Sequence, residues 1–230
     1  IEFLVDENRD FYFMEMNTRL QVEHPITEEV VGVDLVKEQI RVANNEPLHF
    51  KQEDLKQRGH AIECRICAED TDNNFMPSPG ILRQLMEPNG IGVRIDSAVY
   101  EGYEIPIYYD PMIGKLIVWA TTRQFAIERM RRVLYEYKIT GLKTNISYLR
   151  HIMHVPDFVE GHYNTLFIPK HQDMLKEWAG KKEEETENIA MIAAYIDYLM
   201  NLEENKSASS DNRPISRWRE FGLQKGVLRI

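Results

Sequence analysis

Two short apolar runs separated by a polar turn open the chain and predict a β-hairpin. Ile1–Val5 and Phe11–Met16 are rich in aromatic, aliphatic and methionine side chains, whereas the five residues between them are polar or charged. This composition is typical of two strands joined by a turn. Apolar residues on both sides of Glu15 favour a strand that is buried on both faces.

The pairing register of this hairpin decides what it can bind. If Asp6 pairs with Phe11, Glu2 lies directly opposite Glu15, with Asn17 further along the same face. Facing carboxylates on an apolar hairpin repel each other and are costly to desolvate, unless a cation lies between them. An all-oxygen ligand set suits Mg²⁺ or Mn²⁺ better than zinc. The alternative is an edge hairpin with two solvated glutamates.

A row of polar side chains follows the hairpin. In an extended segment Arg19, Gln21 and Glu23 lie on one side. An arginine suits bidentate binding of a planar oxyanion, and a glutamate beside it could take a proton from that anion as a general base. His24 is held extended by Pro25 and is interpreted as structural.

The next pattern indicates a helix and then a second unit. A helix is predicted over Pro25–Asn45 with Thr27 as its N-cap, followed by a polar connector over Leu48–Gly59. Short strands punctuated by Gly, Pro and Asn, with a few helices, predict an α+β domain built on an antiparallel sheet. The predicted strands are His60–Glu69, Ile81–Met86, Val93–Asp96, Ile105–Tyr109 and Lys115–Ala120, and the helices are Thr122–Lys138, whose apolar stripe starts at Phe125, and Asn145–His154.

The pattern changes from Pro169 onwards. Helices are predicted at Asp173–Trp178 and Asn188–Leu202, with a charged stretch between them. Glu203–Arg213 is poor in apolar residues and is interpreted as a mobile linker, and Gly226–Ile230 is interpreted as a short strand.

Composition narrows the class of protein. The 230 residues are 43% hydrophobic and 28% charged with a net charge of −9, so nucleic acid and anionic membranes are poor default partners. No apolar run is long enough for a membrane span. The chain begins inside a strand pattern without Met, and we expect it to be a piece of a longer protein. Cys64 and Cys67 form a C-x-x-C, but a single pair inside a strand is interpreted as structural and suits a reducing compartment.

The motifs resemble a known family. E-M-N-T-R-L-Q-V-E-H-P-I-T-E (Glu15–Glu28) resembles the signature at the end of the ATP-grasp domain of biotin carboxylases, the ATP-dependent components of acetyl-CoA, propionyl-CoA and pyruvate carboxylases. The resemblance covers about residues 1 to 168 and continues through G-V-D-L-V-K-E-Q (Gly32–Gln39), R-G-H-A-I-E-C-R-I-C-A-E-D (Arg58–Asp70), F-M-P-S-P-G (Phe75–Gly80), Y-Y-D-P-M-I-G-K-L (Tyr108–Leu116) and G-L-K-T-N (Gly141–Asn145).

The resemblance implies a domain organisation and a reaction. Residues 1–47 would end an ATP-grasp domain, 48–168 would form the biotin carboxylase C-terminal domain, and 169–230 would be a helical tail and linker toward a further domain. The complete enzyme would be an ATP-dependent ligase. It would use MgATP and bicarbonate to form carboxyphosphate and would then carboxylate biotin on a carrier protein. Because the family's glycine-rich phosphate loop and ATP-binding lysines would precede Ile1, we expect the fragment alone to be inactive.

The same resemblance implies roles for residues of the hairpin. Glu2, Glu15 and Asn17 match the family's metal ligands, and Glu15 also contributes to the ATP site. Leu4 matches an apolar contact to adenine, although it could equally belong to a core.

The resemblance also implies which residues bind bicarbonate and biotin. Arg19, Gln21 and the backbone N–H of Val22 match bicarbonate-binding positions, and Glu23 matches the base. Arg65 matches the arginine that stabilises the oxyanion of deprotonated biotin; without the resemblance, an ion pair with a neighbouring glutamate would be the simpler interpretation.

Partners and alternatives complete the sequence-based picture. Arg94 matches a position at the family's homodimer interface or is a surface arginine. Lys115 is expected to be solvated, with a position near an anion as the alternative. The implied partners are a biotin carboxyl carrier protein or domain and a carboxyltransferase component, in the cytoplasm or, in a eukaryote, the mitochondrial matrix. The alternatives are another ATP-grasp carboxylate–amine ligase, a carbamoyl-phosphate synthetase, or a non-catalytic dimerisation module.

Overall fold

The computed structural model describes residues 1–208, with side chains over 1–178 and 191–199, and begins with the predicted hairpin. Strand β1 (Glu2–Val5) pairs antiparallel with β2 (Phe11–Glu15). Val5, not Asp6, pairs with Phe11, so the predicted register is wrong by one residue along most of the hairpin. An irregularity after Glu2 shifts the register back, and Glu2 does lie opposite Glu15.

The hairpin is exposed on both faces, which contradicts the predicted burial. Phe11 and Phe13 are 71% and 66% exposed, and Met14 is 50% exposed. Within the described residues, β1 and β2 form a two-stranded sheet of their own. The apolar side chains therefore lack the third strand or covering layer that their composition led us to expect.

Two helices replace the single helix predicted after the hairpin. Helix α1 (His24–Val31) ends at Gly32, which adopts the left-handed conformation with a φ of 78°. Helix α2 (Leu35–Ala43) starts afresh from Asp34, whose side chain accepts a capping hydrogen bond from the third helical N–H at 2.8 Å. Glycine tolerates this φ at little cost, and the aspartate cap then restarts the helix.

The other elements follow the predicted order. They are β3 (His60–Cys67), β4 (Glu69–Asp70), β5 (Met76–Pro77), β6 (Gly80–Ile81), β7 (Gln84–Met86), β8 (Val93–Ser97), β9 (Glu104–Ile105), β10 (Met112–Ala120), α3 (Arg123–Glu136), β11 (Lys138–Thr140), α4 (Ile146–Ile152), α5 (Pro156–Glu160) and α6 (Phe167–Ala208). Of these strands, β3, β7 and β9 are shorter than predicted, whereas β8 and β10 are longer. Among the described residues the strands pair antiparallel, and helices cover only part of them, which confirms the α+β prediction.

The core lies between a three-stranded sheet and helix α3. The sheet has the order β3–β10–β8, with β10 in the centre. Leu116 and Val118 from β10 pack with Met130 and Val133 from α3, and all four are fully buried. Phe125, predicted within the apolar stripe of α3, is instead 54% exposed. Because close-packed interiors deform little, packing against α3 limits movement of the β10 backbone and of the side chains on its other face.

The tail is more helical than its sequence pattern indicates. The two predicted tail helices are parts of α6, which runs to Ala208 and includes the first half of the predicted linker. The intervening Lys and Glu residues are good helix formers, so the charged stretch does not interrupt the helix. The rest of the linker and the strand predicted at Gly226–Ile230 lie outside the described residues. Ile1–Ala179 forms one compact unit, and the described residues after it belong to a second unit.

Over the part of the chain that the structure describes, no helix has both the length and the apolar character needed to cross a membrane.

Gly59, just before β3, provides a test of the packing between β3 and β10. It has a φ of 68°, and an added Cβ would collide with the carbonyl oxygen of Ala120 and lie 2.7 Å from Trp119 Cζ2. Gly32 has a similar φ of 78° but open space around its missing side chain. We therefore expect Gly59→Ala to lower the free energy of unfolding by at least about 2 kcal/mol more than Gly32→Ala, since only the first adds a clash to the backbone strain.

Urea titration of the chain, followed by circular dichroism, measures this difference. Equal losses for the two variants would show that the strand ends repack freely around Gly59.

Candidate active site

Glu2 and Glu15 face each other across the hairpin and share a hydrogen-bond donor. The amide nitrogen of Asn17 donates to Glu2 Oε1 at 2.7 Å and to Glu15 Oε1 at 3.2 Å. Gln21 Nε2 adds a second donor to Glu2 Oε1 at 3.1 Å. The carboxylates therefore converge on one point, where the partial positive charge of the amide groups balances them.

The donor set of this cluster fits a hard divalent cation. Across the described residues there is no group of three or more His, Cys, Asp and Glu side chains suited to a metal. Glu2 and Glu15 supply two carboxylates, and Asn17 can present its amide oxygen after rotation of the side chain. Mg²⁺ is commonly bound by one or two carboxylates, with water and phosphate oxygens completing its shell. Three oxygen donors without a thiolate or imidazole fit Mg²⁺ or Mn²⁺ and not zinc.

The polar row after the hairpin opens onto a cavity. Arg19, Gln21 and Glu23 all line a cavity of about 720 Å³, whose other wall comes largely from α2. Arg19 Nη2 lies 3.4 Å from Asn17 Oδ1, so the row is continuous with the acid pair. The guanidinium and the carboxylate predicted to act together are thus on the same surface.

Glu23 stands at the start of α1 and pairs with Arg65. It is the N-cap of this helix, and the prediction that Thr27 caps the helix is wrong because Pro25 already lies in the first turn. Glu23 Oε2 accepts a hydrogen bond from Arg65 Nη2 at 2.8 Å. Both side chains are about half exposed, at 53% and 50%. The fold therefore joins the predicted base to an arginine of β3 that lies far away in the sequence.

Arg65 also has a second, more distant carboxylate. Its Nε lies 3.9 Å from Glu63 Oε1, so the simple ion pair between neighbours is present but longer than the bond to Glu23. Glu63 is only 7% exposed, and within the described part of the chain its Oε2 has no hydrogen-bond partner. Burial raises the pKa of Glu63, and the nearby charges of Lys115 and Arg65 oppose that rise.

Lys115 belongs to the site, although the sequence favoured a solvated lysine over one near an anion. Its side chain is 11% exposed, not solvated as predicted, and its Nζ donates to the carbonyl oxygen of Val22 at 3.0 Å. Asp96 Oδ2 lies 3.4 Å from the same nitrogen. The available signal was a lysine inside the apolar run that forms β10, since a buried lysine needs polar partners.

Arg94 forms hydrogen bonds with two carboxylates of the same chain. It donates to both carboxyl oxygens of Asp96, at 2.7 and 2.9 Å, and to Glu28 Oε2 at 2.7 Å. Burial acts to raise the pKa of Asp96, but the Arg94 hydrogen bonds and the charges of Arg94 and Lys115 together hold it below its usual value. Arg94 is still one-third exposed, so its assignment to a dimer interface stays a prediction.

Leu4 and the two cysteines complete the list of predicted residues. Leu4 is 60% exposed on β1, so it is not a core residue of the described chain, and its contact with adenine stays a prediction. Cys64 is buried, Cys67 is half-buried, and both thiols are free. Burial is the main cause that raises the pKa of each thiol to about 12, which leaves neither suited to redox or metal chemistry.

Comparison with known families divides the chain at the connector. Residues 63–170 match the family described as "Biotin carboxylase C-terminal domain". Residues 1–51 match the family described as "Carbamoyl-phosphate synthase L chain, ATP binding domain". The hairpin and the polar row thus lie in one family segment, and Arg65, Arg94 and Lys115 lie in the other.

Individual relatives match over a longer part of the chain than either family segment. A biotin carboxylase of Nostoc sp. is 56% identical over 168 residues, which are 73% of this chain and 38% of that protein. A chloroplastic biotin carboxylase of Arabidopsis thaliana is 54% identical over 177 residues, which are 77% of this chain and 33% of that protein. The chain therefore spans only about a third of the length of these relatives.

A solved structure matches at a similar level. The biotin carboxylase domain dimer of Hydrogenobacter thermophilus 2-oxoglutarate carboxylase, in complex with MgADP, ADP and bicarbonate, superposes with a TM-score of 0.73. The two sequences are 47% identical, and the match covers 75% of this chain and 38% of that one.

The raised thiol pKa values predict slow reaction with a disulfide reagent. At mildly alkaline pH, Cys64 and Cys67 should react with a water-soluble disulfide reagent on the order of a thousandfold more slowly in the folded chain than in the unfolded chain. The reason is that the fraction of reactive thiolate falls about tenfold for each unit by which the thiol pKa rises. The absorbance released by a chromogenic disulfide reagent, with and without denaturant, measures the ratio. Reaction of either thiol at the denatured rate would contradict the assigned burial.

Proposed function

Because this chain belongs to the biotin carboxylase family, we propose that it supplies part of a biotin carboxylase active site. In this proposal MgATP phosphorylates bicarbonate to carboxyphosphate and leaves ADP. Carboxyphosphate breaks down to CO₂ and phosphate, and the deprotonated ureido nitrogen of biotin on a carrier protein adds to the CO₂. The observation that carries the proposal is the continuous line of polar contacts from Glu2 and Glu15 through Asn17 to Arg19, together with the Glu23–Arg65 pair.

Glu2, Glu15 and Asn17 would hold a Mg²⁺ or Mn²⁺ ion. Such an ion, when bound, neutralises the charge of phosphate oxygens during phosphoryl transfer. The Glu2 carboxylate is partly preorganised, because the Gln21 amide would still hold it after Asn17 turns its oxygen toward the ion. Preorganised ligands lose little side-chain entropy when the cation binds.

Bicarbonate would bind beside them along the polar row. Arg19 offers a guanidinium that matches a planar anion, and the Gln21 amide and the Val22 N–H add neutral donors. Glu23, at the end of the row, would accept the bicarbonate proton as the anion attacks the phosphate. Arg19, Gln21 and Glu23 line the same cavity, which supports their acting on one small ligand.

Arg65 would act in the second half-reaction. Its guanidinium would stabilise the oxyanion of deprotonated biotin. The 2.8 Å bond to Glu23 supports a link between the two steps. A proton on Glu23 removes the negative charge that holds Arg65, which frees the guanidinium for biotin.

Apart from Leu4, the rest of the ATP site would come from residues that this chain does not contain. Leu4 would contact adenine, and the exposed aromatic faces of the hairpin would pack against the remainder of an ATP-grasp domain. The partners would be a carrier protein or domain, a carboxyltransferase component and a second biotin carboxylase. A cytoplasmic or mitochondrial-matrix location stays a prediction.

The Glu23–Arg65 pair also separates this proposal from its closest alternative. A carbamoyl-phosphate synthetase or another ATP-grasp ligase would use the acid pair in the same way but has no need of an arginine for biotin. The arginine lies in the segment that matches the biotin carboxylase C-terminal domain, which favours biotin as the acceptor.

Exchange of the base tests the proposal. In the complete polypeptide that carries this chain, Glu23→Gln should lower kcat for bicarbonate-dependent ATP hydrolysis by at least about a hundredfold, because the amide cannot accept the proton. Glu53→Gln is the matched control, since Glu53 is 72% exposed in the connector, and it should leave the rate unchanged.

Residues 1–230 alone should not hydrolyse ATP in the same assay. Bicarbonate-dependent turnover by this fragment, or full activity of the Glu23→Gln enzyme, would contradict the proposal.

A further inference from the structure

Lys115 occupies the middle of the central strand, on the face turned away from the α3 core. It is the register partner of Arg65 on β3 and of Asp96 on β8. Its neighbours Leu116 and Val118 belong to the hydrophobic core, whereas its own side chain extends under the segment that precedes α1. Burying an ammonium group in this way is unfavourable unless polar partners replace its water.

The lysine has two such partners, and one of them is a backbone carbonyl of the polar row. Nζ donates to the carbonyl oxygen of Val22 at 3.0 Å and lies 3.4 Å from Asp96 Oδ2. Arg94 holds Asp96 through both carboxyl oxygens and also bonds Glu28 on α1. Asp96 on the neighbouring strand therefore orients the Lys115 ammonium group, and the ammonium group in turn holds the Val22 carbonyl of the polar row.

The carbonyl that Lys115 holds belongs to the peptide unit between Val22 and Glu23. Fixing this plane limits rotation at the backbone of Glu23, where α1 begins. The plane thereby sets the direction in which the Glu23 side chain leaves the backbone toward the cavity and Arg65. A hydrogen bond from a charged group to this carbonyl is stronger than one between neutral groups.

We propose that Lys115, oriented by Asp96 and Arg94, is a positioning residue that fixes the Val22–Glu23 peptide and hence the base and the bicarbonate-binding row. This inference rests on the proposed function, because it assigns to Lys115 a role in that reaction. Lys115 does not touch the substrate in this assignment and acts only through the carbonyl of Val22.

Substitution of Lys115 in the complete polypeptide tests the inference. Lys115→Met keeps the unbranched apolar part of the side chain but removes its terminal charge and donors. Measured on folded enzyme, it should lower kcat/KM for bicarbonate by about ten- to a hundredfold and leave KM for MgATP within about twofold, because only the row loses its anchor. Lys51→Met, at a lysine that is 79% exposed, is the matched control and should behave as the unmodified enzyme.

Asp96→Asn is a second variant that keeps Lys115 in place. It weakens the orientation of the ammonium group and should lower kcat/KM for bicarbonate in the same direction by about three- to tenfold. If Lys115→Met does not fold, this variant decides. A purely structural lysine would lower the melting temperature of the variants without changing the bicarbonate parameter.

The outcomes separate the inference from its premise. An unmodified enzyme without bicarbonate-dependent ATP hydrolysis would mean that the proposed function is wrong. An active enzyme whose kcat/KM for bicarbonate is unchanged by Lys115→Met, or by Asp96→Asn where the first variant does not fold, would overturn the role of Lys115 alone.

Discussion

Two carboxylates held face to face across the first hairpin are the constraint from which the rest of the site follows. In a regular register Glu2 would be displaced by one position, and its side chain would point to the other face of the hairpin. The irregularity after Glu2 returns it to Glu15, and the Asn17 and Gln21 amides then compensate the repulsion. This unfavourable arrangement has a clear use if a cation binds there, since the cation turns the repulsion into attraction.

The three-stranded antiparallel sheet has two chemically different faces, and both stabilise the site. One face packs Leu116 and Val118 against α3 and excludes water. The other carries Glu63 and Lys115, which lie under the segment that leads into α1. Close-packed cores deform little, so packing of the apolar face also fixes the backbone that carries the charged side chains of the other face. Arg65, on the same strand as Glu63, is thus held within hydrogen-bond distance of the proposed base, Glu23.

The sequence predicted local features well and long-range contacts poorly. Alternation and turn composition predicted the hairpin. The register that placed Glu2 opposite Glu15 was wrong by one residue, and only the irregularity after Glu2 restores this pair. The break at Gly32 was missed because an apolar stripe continues on both sides of it, and only the left-handed φ interrupts the helix. Burial of Lys115 depends on contacts with Val22 and Asp96 that no local pattern encodes.

Two further differences have a common physical cause. Exposed aromatic residues on the hairpin were predicted to be buried, because sequence patterns report what a strand needs and not which other residues supply it. The pairing of Arg65 with Glu23, in preference to its near neighbour Glu63, likewise depends on the distance between β3 and the start of α1. The family resemblance pointed to both residues, and the fold brings their side chains together.

The most direct test of the acid pair is to locate the bound ion. Anomalous diffraction from crystals of the complete polypeptide grown with Mn²⁺ and ADP would show the metal position without reference to activity. We expect a manganese peak between Glu2 and Glu15, within about 2.0 to 2.3 Å of an oxygen from each and with the Asn17 amide oxygen turned toward it. A manganese ion bound to the nucleotide elsewhere, with the amide nitrogen of Asn17 still between the two carboxylates, would contradict the metal site and the chemistry built on it.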